Sequence, residues 1–160
     1  MRSAILLFAG LALVGCSEET VVQTEPNYKA INEAARAPAA PITPDVISFA
    51  DIEKHNLFGA GCNVLSPDGE GLLLIANDEA AHFLLDGKLI SLAPHPGSDE
   101  LPYGTHAHYD GLAHAVELAI DEESGQQQGS ELTNYEGRLT IFDERDRIVF
   151  EQAGSIECGA

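Results

Sequence analysis

Between Leu57 and Cys158 the chain changes character every few residues, and turn dipeptides mark most of the changes. Leu57 to Leu65 alternates weakly and ends at the turn Ser66-Pro67-Asp68-Gly69; an apolar run, Leu72 to Ala76, is followed by Asn77-Asp78-Glu79. His82–Leu85 and Lys88–Leu92 flank Asp86-Gly87, and Thr105–Tyr109 and Leu112–Ile120 flank Asp110-Gly111, both strong signals for two-residue hairpins. The polar loop Asp121–Ser130 leads into Leu132–Phe142 and Arg147–Cys158, joined around Asp143-Glu144-Arg145-Asp146. Such punctuation leaves no room for a long helix. It predicts an all-β domain, a single antiparallel meander of about eight strands, closed or nearly closed as a barrel. The core-facing residues in that reading are Leu74, Phe83, Leu85, Ile90, Leu92, Leu112, Val116, Leu118, Tyr135, Leu139, Ile141, Ile148 and Phe150. Ahead of the strands, Ser48-Phe49-Ala50-Asp51 has the form of a capping box opening a short helical turn through Lys54.

The first residues follow another pattern. Arg2 precedes the apolar run Ala4–Leu13, which is too short for the roughly 20 residues a membrane span needs. The run ends in Leu13-Val14-Gly15-Cys16, which resembles a bacterial lipobox. The resemblance implies a signal peptide over 1–15, cleavage before Cys16 and diacylglycerol on its thiol. Ser17, in place of the Asp that retains such proteins at the inner membrane, implies an anchor in the outer membrane of a Gram-negative cell. Residues 16–45, rich in Pro and Ala and without apolar period, are expected to be a disordered tether, and 46–160 the barrel domain.

Without residues 1–15 the chain carries 7 basic and 26 acidic side chains, net −19. That balance argues against nucleic acid and anionic lipid, which require Lys and Arg, and would steer a basic protein partner toward the domain. With Cys16 lipidated, Cys62 and Cys158 remain as an even pair in an oxidising compartment, and a disulfide between the first and last strands is expected. Closing so long a loop removes chain entropy worth about 4–5 kcal/mol.

The site chemistry is sparser. His95, His106, His108 and His114 lie close in sequence. A tight turn at Asp110-Gly111 pairs Tyr109 with Leu112 and His108 with Ala113. His106 and His108 then share one face with Ala113, Ala115 and Glu117, while His114 falls on the core face as a satisfied, half-buried residue. His106 and His108 could share a metal with Glu117, or with His95 from the preceding loop. The acidic loops at Asp121–Glu123 and Asp143–Asp146 lack the register of a calcium loop. No Gly-x-Ser-x-Gly elbow or Gly-rich phosphate loop exists. The expectation is a non-enzymatic protein with no cofactor and a structural or protein-binding role in the periplasm, a metal-binding module being one alternative.

The segment Pro96–Leu118 resembles the core motif of the membrane-bound inhibitors of c-type lysozyme. Ser98 and Tyr103 match that family's loop Ser and Tyr, Tyr109 its following aromatic, and Gly111 the Gly of its Lys-Gly pair. Asp99 stands where the family has Gly, Asp110 where it has Lys, and one extra residue separates Ser from Tyr. The resemblance implies a small β-barrel that inhibits a basic secreted hydrolase, with Ser98 and Tyr103 as partner-binding residues.

Overall fold

The strand Leu72–Ala76 explains much of the architecture, because it is apolar on both faces and needs cover on both. Among the described residues it is the second of eight strands: β1 (Gly61–Leu65), β2 (Leu72–Ala76), β3 (Ala81–Leu85), β4 (Lys88–Pro94), β5 (His108–Asp110), β6 (His114–Gln128), β7 (Leu132–Asp143) and β8 (Ile148–Gly159). Each pairs antiparallel with the next, and β1 also pairs with β8, so the sheet closes into a barrel without free edges. The computed structural model describes Asn27, Tyr28, Asn32 and residues 39–160. The lipobox, Cys16 and most of the expected tether lie outside the described residues.

Inward-facing side chains fill the barrel. Tyr109, Phe83, Leu74, Leu118, Leu139, Ile141, Ile156, Val64 and Val116 are fully buried there. The other face of β2 and β3 is covered by Ile47, which packs with Ile75 and Leu84, and by Ile52 and Leu57. Ile52 belongs to the helix Phe49–His55, opened by the expected capping box: the Ser48 N–H donates to Asp51 Oδ2 at 3.0 Å, and the Asp51 N–H to Ser48 Oγ at 3.4 Å.

The packed region therefore begins earlier than residue 46. Ile42 and Ala39 lie against the core, the Ile42 N–H donates to the Val149 carbonyl at 3.0 Å, and the Asp45 N–H to that of Leu84 at 2.9 Å. Residues 39–45, expected in the tether, supply their own backbone bonds to the sheet.

Two turns with the same dipeptide behave differently. At Asp86-Gly87 both residues take positive φ (51° and 70°), the two-residue hairpin turn the sequence predicts, and the Gly87 N–H donates to Asp45 Oδ2 at 2.8 Å. Neither Asp110 nor Gly111 has positive φ, and Tyr109 pairs with Val116, not Leu112. Leu112 consequently sits at a loop tip, fully exposed rather than in the core. Gly111 is needed for another reason: a Cβ there would come within 2.5 Å of Leu92 Cδ2. The register differs from the expected one by an even number of residues, so the paired residues His108–Asp110 and Ala115–Glu117 keep their predicted faces.

Ile148 is the second core expectation to fail, at 54% exposed. Ile141 pairs with Phe150 but Phe142 pairs with Ile148, leaving Val149 as the extra residue of a bulge. The bulge turns Val149 into the core and Ile148 outward.

The β7–β8 turn closes on Asp143. Its carboxylate accepts the backbone N–H groups of Arg145 and Arg147 and the Arg147 guanidinium, at 2.6 Å from Nη2. The Arg147 hydrogen bonds, side chain first, hold its pKa down at about 2, against an ordinary 3.8. A depressed carboxylate stabilises the fold fully above its ordinary pKa and ceases to do so as pH falls through its folded value. The wild type should therefore lose more thermal stability than Asp143→Asn between pH 4 and pH 2; parallel losses in melting scans would refute the assignment.

Candidate functional site

Strand alternation over His108-Tyr109-Asp110 sends Tyr109 into the barrel and the other two side chains outward, together. His95 follows β4 directly, and its backbone N–H donates to the His108 carbonyl at 2.9 Å, which brings its ring alongside. Asp110 lies between the two imidazoles: Oδ2 is 2.5 Å from His95 Nδ1 and Oδ1 is 3.0 Å from His108 Nε2. The rings meet edge-to-face at 5.2 Å. The hydrogen bond from His95 is the largest cause that lowers the Asp110 carboxyl pKa; burial opposes it, and the hydrogen bond from His108 adds a smaller lowering. One ligand atom from each of the three side chains lies within 4.8 Å of the others.

His106 is not part of this cluster, contrary to the shared face expected of it with His108. The chain bends at Ala107, whose N–H donates to the Asp99 carbonyl, and the strand begins only at His108. The His106 ring stacks edge-on against Tyr109, with Nδ1 3.5 Å from Ser98 Oγ. Glu117 is cross-strand from His108 and lines a groove described below. His95, weighed as a partner for His108, does join it. Asp110 was hidden as a turn residue; the x-spaced His108-x-Asp110 on one strand face was the signal for it. His114 faces the core as expected but is not satisfied, since its buried Nδ1 has no hydrogen-bond partner among the described residues and its ring meets Phe83 edge-on at 5.6 Å.

The Ser98–Tyr103 loop folds onto the end of the barrel. Leu101 packs on the core, its N–H donating to the Thr105 carbonyl, and the Pro102 carbonyl lies 3.5 Å from Cys62 Sγ. Tyr103 takes a left-handed conformation (φ 57°) at the short turn Pro102–Gly104. Its hydroxyl donates to the Glu131 carbonyl at 2.9 Å, while Ser98 neighbours His106, so the two have different partners. Tyr103 keeps 42% of its surface exposed.

A third feature lies on the outer face of the three long strands. Cross-strand register places Glu117, Thr140 and Glu151 in one row, Ala119, Arg138 and Ala153 in the next, and Asp121, Glu136 and Ser155 in a third. The alanines leave a depression flanked by exposed carboxylates, an open groove of about 610 Å³ that ends at Phe142 and Ile148. Arg138 crosses it and approaches Glu151 at 3.5 Å, with both side chains about half exposed, so the pair adds little stability. Four carboxylates, those of Glu117, Asp121, Glu136 and Glu151, thus line the groove together with one guanidinium. Sequence reading misses this site because its walls come from three strands.

Comparison of the chain with family models, with curated proteins and with solved structures finds no match.

Proposed function

We propose that this protein is a non-enzymatic lipoprotein of the Gram-negative envelope, anchored through Cys16, whose barrel binds a basic protein along the outer face of β6–β8. The observation that carries the reading is the groove: Glu117, Asp121, Glu136 and Glu151 around an alanine floor, with an apolar end at Phe142 and Ile148. Shallow acid-walled relief beside exposed apolar surface suits Lys and Arg side chains whose stems need cover and whose heads need carboxylates. The surrounding field points the same way. Residues 39–160 carry 22 acidic side chains against Lys54, Lys88, Arg138, Arg145 and Arg147, net −17.

The barrel interior is filled by side chains, which favours a surface role over enclosure of a small ligand. Inhibition of c-type lysozyme is the specific form of this reading suggested by the Ser98–Tyr103 resemblance. The Tyr103 hydroxyl bond to Glu131 holds that loop against the barrel, so the acidic groove is the better-supported contact surface.

Two basic probes test it, c-type lysozyme and cytochrome c, titrated with the full chain at about 50 and about 300 mM salt. Saturable binding that weakens with salt is expected for at least one probe. Glu117→Gln/Glu136→Gln/Glu151→Gln should weaken it about tenfold or more, whereas the equally neutralising Asp68→Asn/Glu70→Gln/Asp86→Asn should not. Equal losses in the two triples, or no binding of either probe, would overturn the proposal. Lysozyme inhibition that disappears in Ser98→Ala/Tyr103→Ala but survives the groove triple would move the contact to the loop and overturn the groove.

A further inference from the structure

We infer that His95, His108 and Asp110 form a binding site for a divalent transition-metal ion of the zinc and copper class. The donor set argues the class: two imidazole nitrogens and one carboxylate suit zinc or copper, whereas calcium and magnesium call for oxygen donors throughout. Three side chains offer one atom each within 4.8 Å of one another. Metal–ligand bonds of about 2.0–2.1 Å place tetrahedral donors roughly 3.3 Å apart. Asp110 now stands 2.5 Å from His95 Nδ1 and 3.0 Å from His108 Nε2, so small side-chain rotations open the triangle.

Each imidazole that now donates to Asp110 would carry its proton on the far nitrogen, His95 on Nε2 and His108 on Nδ1, freeing a lone pair for the ion. The three side chains are between about one third and one half exposed, which leaves an entry path and room for solvent to complete the coordination.

Position in the fold strengthens the case. β4 and β5 pair only at Ala93 with Asp110 and at Pro94 with Tyr109, and Pro94 has no N–H to give that ladder. His95 continues from β4, while His108 and Asp110 belong to β5. An ion held by all three would tie the two strands where their paired ladder is only two residues long. It would stabilise the folded state by mass action, because the unfolded chain does not assemble the triangle.

The test uses the untagged full chain with Cys16→Ser, which removes a competing thiol. It is titrated with zinc chloride and with copper sulfate by calorimetry and melted with and without each ion. One site per chain is expected, with a rise in Tm at saturation. His108→Ala and the size-conserving Asp110→Asn should each weaken binding about tenfold or more and abolish the rise. His106→Ala and His82→Ala, outside the triangle, should leave both readouts unchanged; circular dichroism of each ion-free variant confirms that it folds. The site is refuted if neither ion binds or raises Tm, if binding survives His95→Ala/His108→Ala, or if His106→Ala costs as much as His108→Ala.

Discussion

Replacing both Cys62 and Cys158 by Ala should lower the melting temperature by roughly 15–20 °C. The two cysteines are directly paired across β1 and β8, fully buried, and separated by 96 residues. Constraining so long a loop in the unfolded chain is worth about 4–5 kcal/mol in the chain-entropy model. For a domain of this size 1 kcal/mol corresponds to about 4 °C. The effect is large because of where the bond lies. β1 meets β8 only over Gly61–Val64, whereas β7 meets β8 along nearly its whole length, so the disulfide reinforces the short seam that closes the barrel. Reductant should reproduce most of the shift in the wild type and none of it in the double variant. A loss of only two or three degrees would mean that the seam holds by pairing alone.

That bond was readable in the sequence only through another feature: with Cys16 assigned to lipid, two cysteines remain for one bridge. The strands were readable because period-two alternation and turn dipeptides are local, and Asp86-Gly87 forms the turn its residues favour. Asp110-Gly111 does not, for reasons no local rule contains. The Tyr109 hydroxyl is engaged 32 residues away at Asn77, and Leu92 presses on Gly111. The bulge at Val149 is equally invisible, since one extra residue changes which side chains face inward without altering composition. Residues 39–45 look like linker because they are Pro- and Ala-rich, yet the sheet supplies their backbone partners. The unbroken apolar run of β2 was the available clue that something covers its outer face. Of the candidate sites, His95 and His108 were readable as ligand types. Their meeting at Asp110 depends on the strand beginning only after the bend at Ala107.

Tyr109 ties these local outcomes together, and its removal should be the costliest single change in the β5 region. Its ring is wholly buried against the barrel core, opposite Val116. Its hydroxyl donates to the Asn77 carbonyl at 2.5 Å and accepts the His106 N–H at 2.8 Å, so one group joins the β2–β3 turn, the loop ahead of β5 and the core. Tyr109→Phe keeps the ring but leaves that carbonyl and that N–H without the hydroxyl, at a cost of about 1–3 kcal/mol. Tyr109→Ala adds a cavity and should cost about 3–5 kcal/mol or more. Urea denaturation separates the two effects. In Tyr109→Phe, hydrogen exchange should accelerate at the His106 amide while the β7–β8 ladder, which pairs independently of β5, stays protected. Uniform acceleration across β7 and β8 would instead show that the tyrosine supports the whole barrel. A Tyr109→Phe variant as stable as wild type would show that water replaces the hydroxyl without loss.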